Sequence, residues 1–124
     1  MPPFVFSLEQ VLEHRRRLEE DAQKAVALVQ MRLDECQGAI ARLEASRKAS
    51  SNELYARLAG GAADGERMIY TNYLQLADQE LKRLGKLELE VKLELERARR
   101  SLVEAMRNRE ILDEVRKAEF REYQ

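Results

Sequence analysis

Few residues in this chain could do chemistry by themselves. Cys36 is the only cysteine and His14 the only histidine among 124 residues. A lone thiol makes neither an intramolecular disulfide nor a cysteine metal cage, and on an apolar stripe it is expected to pack as a small core residue. His14 stands among Glu13, Arg15, Arg16 and Arg17. On an exposed helical turn of that kind it is expected at the surface, not as a metal ligand or general base. Carboxylates are plentiful, but raising the pKa of a carboxylate pair takes a desolvating cavity, which two paired helices do not provide. The run Gly60-Gly61-Ala62-Ala63-Asp64-Gly65 is rich in glycine, yet no strand precedes it and no Gly-Lys-Ser/Thr follows, so it does not suit a phosphate loop. The expectation is a protein that is not an enzyme, with no cofactor and no metal.

The aromatic residues carry more information. Phe4, Phe6, Phe120 and Tyr123 lie at the termini, and Tyr55, Tyr70 and Tyr73 flank the glycine-rich break. If the chain folds back at that break, Phe4 and Phe6 come beside Phe120 and Tyr123. The layout predicts a rod with an aliphatic shaft and a sticky patch at each end, suited to touching something at both tips.

The elements that would position these patches are two long helices. Ser7 is a good N-cap with Gln10 completing a capping box, and Phe6 could staple onto Val11 or Leu12. An alternating 4,3 step then picks out Leu8, Leu12, Ala22, Val26, Val29, Leu33, Cys36, Ile40, Leu43 and Leu54. Arg15 and Glu19 interrupt this stripe, and Arg47 and Ser50 weaken it near the break. Gly60-Gly61 can end the helix through a left-handed C-cap, and Asp64 or the polar backbone near it can restart the second. There, Tyr70, Leu74, Ala77, Leu81, Leu84, Val91, Leu95, Ala98, Leu102, Ala105 and Leu112 share one register, with Glu88 and Arg109 as polar exceptions. A repeat kept over so many heptads is the mark of a coiled coil. Residues 87–95 alternate with period two, but Leu, Glu and Lys favour helix and the register runs through, leaving Leu89 and Leu93 off the seam. The predicted fold is all-α: a single domain over 1–124, with a helix at about 7–59, a loop at 60–65 and a helix at about 66–122, forming an antiparallel coiled-coil hairpin. Folding at the break pairs residues whose numbers sum to roughly 125, placing Leu12 against Leu112, Val29 against Leu95 and Ile40 against Leu84. Each helix would be about 75 Å long. Gly38 and Gly85 fall almost opposite each other, as a flexible point or by chance.

Composition narrows the classes. Charged residues make up 36% and aromatics 6%, with no Trp, so a wide core cannot be filled. Basic and acidic residues balance at 22 against 23, and neither half of the chain is a polycation. That argues against phosphate-dominated nucleic-acid binding. Met1-Pro2-Pro3 lacks the regions of a signal peptide, and no apolar run approaches the ~18 residues of a membrane span. The expected location is cytoplasmic, with no direct membrane insertion.

The opening Phe4-Val5-Phe6-Ser7-Leu8-Glu9-Gln10-Val11-Leu12 resembles that of the FliJ family of the flagellar type III export apparatus, an F-x-F-x-L-x-x-V-L pattern leading into a long charged helix. The resemblance extends over the chain through two long helices, a break past the middle and an Asn72-Tyr73 step just after it. It implies a stalk-like antiparallel coiled coil whose terminal end engages the ring of the export ATPase, FliI. It further implies that another surface, toward the loop end, binds the export-gate membrane protein FlhA, that export chaperones are partners, and that the protein is held peripherally at the inner membrane. Where the family has a further aromatic after the Asn-Tyr step, this chain has Leu76. On this resemblance and the aromatic layout, Leu8, Val11, Leu12, Leu112, Val115 and Phe120 are the expected ATPase contacts, and Tyr55, Tyr73 and Leu76 the expected gate contacts. Tyr70 falls on the seam register, where core packing is the better expectation. The alternatives are an injectisome stalk, a generic coiled-coil scaffold and a tRNA-binding helical arm, the last requiring a basic face that Arg57 and Arg67 alone do not supply.

Overall fold

A computed structural model describes residues 2–124. Helix α1 spans Glu9–Ala59 and helix α2 spans Asp64–Tyr123, with no strand among the described residues. The two helices pack against each other as a helical hairpin.

The turn forms at Gly61, which alone among the described residues has a positive φ, at 82°. The Ala62 amide donates to the Arg57 carbonyl at 2.9 Å and the Gly61 amide to that of Leu58 at 3.2 Å. This pair of bonds is a Schellman cap with a left-handed glycine. Helix α2 restarts at once, with the Arg67 amide bonded to the Ala63 carbonyl at 3.1 Å. Asp64 and Glu66 stand in its first turn, where negative charge suits the helix dipole. The connection is therefore residues 60–63, shorter than the expected 60–65.

The start of α1 differs from the capping box expected of Ser7 and Gln10. The Ser7 hydroxyl donates across the hairpin to Glu119 at 2.9 Å, and Ser7 and Leu8 form a turn ahead of Glu9. A carboxylate from the far end of the chain takes the hydroxyl proton that a local cap would have left to solvent. Phe6 and Leu12 are buried while Val11 is exposed, so of the two expected staple partners only Leu12 shares the interior with Phe6.

The chain divides into two compact units. One comprises the residues through Gln30 together with those from Leu93 onward; the other is Met31–Lys92. In the terminal unit, Phe6, Leu12 and Leu95 are buried, with Val26, Val29, Ala98, Leu102, Ala105 and Leu112 half-buried around them. In the connecting unit, Leu33, Cys36, Ala77, Leu84 and Val91 are buried, and Ile40, Leu43, Leu54, Leu74 and Leu81 are half-buried. The seam is thin because each helix offers only an a/d stripe to its partner. Leu8 alone among the stripe residues is exposed. The period-two stretch is continuous helix, with Leu89 and Leu93 facing solvent.

Pairs across the seam show the antiparallel register. In the terminal unit Arg116 reaches Glu9 at 3.3 Å and Arg109 reaches Glu19 at 2.7 Å. In the connecting unit Arg47 reaches Asp78 at 2.5 Å and Arg57 reaches Glu66 at 2.5 Å. The Cys36 thiol donates to the Leu84 carbonyl at 3.5 Å, which fixes this buried side chain as a core residue.

Candidate partner-docking surfaces

The terminal unit has two unlike flanks. Taking Leu12 and Arg109 as a positions, Glu9, Arg16, Gln30, Arg99 and Asp113 are e positions, on one side of the seam. Here Arg109 donates to both Glu19 oxygens at 2.7 and 3.2 Å and to Asp113 at 3.0 Å. Arg16 joins Asp113 at 3.4 Å, and Arg99 joins Gln30 at 3.4 Å. The Arg109 bonds hold the Glu19 carboxyl below its ordinary value, and those of Glu19 and then Asp113 push the Arg109 guanidinium up. Glu19 and Arg109, the polar interruptions of the two stripes, are thus each other's partners. A polar pair placed within a seam fixes alignment, because sliding one helix by a heptad would part the two charges.

The other flank is made of g positions, which face each other in an antiparallel pair. These are Val11, Leu18 and Ala25 on α1, and Glu94, Ser101, Asn108, Val115 and Glu122 on α2. Between the two glutamates the flank carries no charge, in a chain that is 36% charged. Val11, Leu18 and Val115 are exposed, and Leu8 and Leu112, at neighbouring d positions, continue the same side.

The six residues expected to meet an ATPase therefore do not form one patch. Leu8, Val11, Leu112 and Val115 share the uncharged stretch of that flank. Leu12 lies beneath it at 0% exposure. Phe120 is on the charged side, packed against Phe4 with ring centroids 5.0 Å apart.

In the connecting unit, Tyr73 is half-buried and Leu76 is exposed. A c position following a g position puts both on one side of α2. Tyr55 is exposed but occupies a b position of α1, which turns it to the opposite side. Tyr70 is half-buried on the seam; its burial and then the Glu53 carboxylate beside it push the phenol pKa up. The expectations passed over Met68 and Ile69, both exposed. Ile69 lies seven residues before Leu76 and so repeats its heptad position; that spacing was the signal available. Ile111, another exposed residue, lies four residues before Val115 and borders it on the same side of α2.

No group of His, Cys, Asp or Glu able to hold a metal occurs among the described residues. No helix there is long and apolar enough to cross a membrane. What the surfaces offer is contact: apolar side chains on rigid helices, framed by charge.

Comparison with known proteins gives one result. The family model described as "Flagellar FliJ protein" matches residues 4–124. Neither the curated proteins nor the solved structures give a match. A match over essentially the whole chain, on a helical hairpin with the heptad seam described above, shows that the chain belongs to the FliJ family of flagellar proteins.

Proposed function

We propose that this protein, as a non-catalytic component of the flagellar export apparatus, is the stalk that couples the export ATPase ring to the export gate and assists in handling substrate chaperones. The observation that carries this reading is the uncharged stretch of the g flank of the terminal unit, between Glu94 and Glu122. A helix pair turning or seating inside a ring contacts it through side chains that need burial and shape more than fixed hydrogen bonds. Leu8, Val11, Leu112 and Val115 supply such contacts, Leu12 supports them from within, and Phe120 completes the terminal surface on the other flank. In the connecting unit Tyr73 and Leu76 form the gate-docking side, with Tyr55 touching the gate from the opposite face. Tyr joins a large apolar ring to a polar tip at small entropic cost, which suits it to interface hot spots. The protein works peripherally at the cytoplasmic side of the inner membrane, held there by its partners.

The test is ATP hydrolysis by the cognate export ATPase with and without this protein. Val11→Ser combined with Val115→Ser removes apolar surface from two exposed positions of the flank without setting like charges opposite each other or touching the seam. Stimulation of hydrolysis by the wild type and its loss in the double variant, at unchanged helical melt, is the expected result. Full stimulation by the variant would move the contact elsewhere.

A further inference from the structure

Residues 2–6 precede α1 without regular structure, yet they are tied closely to the last turns of α2. The Phe4 ring meets Phe120 edge-on at 5.0 Å and Tyr123 at 5.5 Å. The Arg116 guanidinium stands over the same ring at 6.0 Å while bonding Glu9 at 3.3 Å. The Tyr123 hydroxyl donates to the Pro2 carbonyl. Ser7 donates to Glu119 through its hydroxyl at 2.9 Å and its amide at 3.5 Å. All these ties join the two extremes of the chain.

The ties are graded. Phe6 is buried and acts as an anchor in the core, whereas Val5 is exposed and Phe4 only half-buried. Everything that holds Phe4 is exposed or half-exposed: ring edges, a cation over a ring, and hydrogen bonds open to water. Contacts of this kind are individually weak, so the segment ahead of Phe6 can lift while Phe6 stays seated. Phe120 and Tyr123 are then freed together, because Phe4 packs against both.

We propose that Pro2–Val5 is a reversible latch, hinged at the seated Phe6 and steadied there by the Ser7–Glu119 bonds, which closes over the aromatic face of Phe120 and Tyr123 with Phe4 as its fastener. Displacing Phe4 opens both rings together, so the latch sets how often that end of α2 is accessible. It concerns the charged side of the terminal unit, where Phe120 is the one residue it shares with the ring contacts named above.

Chymotrypsin tests this on the isolated full-length protein, since it cuts after Phe and Tyr. With native protein at low protease, the rate of cleavage after Phe120 reports how often the α2 terminus opens. Tyr70 and Tyr73, in the other unit, serve as an internal control. Phe4→Ala should raise cleavage after Phe120 roughly fivefold, the factor expected for one lost aromatic pair. Glu119→Ala should raise it by about twofold, and in neither variant should cleavage at Tyr70 and Tyr73 change. Unchanged cleavage after Phe120 in both variants would overturn the latch. An equal acceleration at Phe120 and at Tyr70 and Tyr73 would also overturn it, since that marks general loosening. Because no ATPase is present, failure here is distinct from failure of the stalk assignment.

Discussion

Leu95 and Leu93 differ by two positions and by which way they face, so they offer a sharp check on the register. Leu95 is 4% exposed and Leu93 is 54% exposed. Leu95→Ala replaces an isobutyl group with a methyl inside the seam. At about 0.8 kcal/mol per buried carbon, the transfer loss alone is near 2.4 kcal/mol. A cavity contribution adds to this, although a two-helix seam can partly collapse, so about 2.5–3 kcal/mol is expected, toward the lower end for such truncations. Leu93→Ala removes side chain that is already half in water, and a loss below about 1 kcal/mol is expected. For a chain of this length 1 kcal/mol moves the melting temperature by roughly 4 °C. Thermal melts followed by far-UV circular dichroism should therefore show drops of about 10–12 °C for Leu95→Ala and less than about 4 °C for Leu93→Ala. Leu95→Asp should fall further than Leu93→Asp, because the seam carboxylate loses its hydration and gains no partner. Equal melting temperatures within either pair would show that the seam is misassigned.

Acid should weaken the terminal unit through Glu19. Its folded pKa lies below the ordinary 4.5 because Arg109 bonds the charged form; the contribution is full above 4.5 and is lost as pH falls through the depressed value. Melting temperature against pH should thus fall in that acid range, and less steeply in Glu19→Gln; identical slopes would contradict the assignment. The glycines should split in sign. Gly85→Ala meets nothing within 4 Å and should stabilise the helix by about 1 kcal/mol, whereas Gly61→Ala, also with open space but at φ 82°, should destabilise by about 1 kcal/mol; urea titrations of both check this. Finally, Tyr73→Ala with Leu76→Ala should weaken binding to the export gate at least tenfold in a titration, with a melt lowered by only a few degrees; full-strength binding would send the search for the surface to Leu89 and Leu93.

The hairpin was legible in the sequence because its determinants are local and periodic. A 4,3 apolar step decides which face of each helix is buried, and Gly60-Gly61 supplies the one left-handed residue a Schellman cap needs. Seam positions such as Leu33, Leu84, Val91 and Leu95 follow from that periodicity without any knowledge of the partner helix. The surfaces were less legible, since exposure on a helix depends on what covers each flank. Leu12 and Phe120 looked equivalent to Leu8 and Val115 as apolar residues near the termini. Only the packed pair shows Leu12 sealed inside and Phe120 held under Phe4 on the other flank. Likewise Glu19 and Arg109 read as separate flaws in two stripes until the antiparallel register brought them together, 90 residues apart along the chain. The Ser7 hydroxyl took a carboxylate of Glu119 in place of the local capping box for the same reason. Short-range pattern fixes helices and their buried faces, whereas pairings between distant side chains are set by the alignment of the two helices, which no single stripe contains.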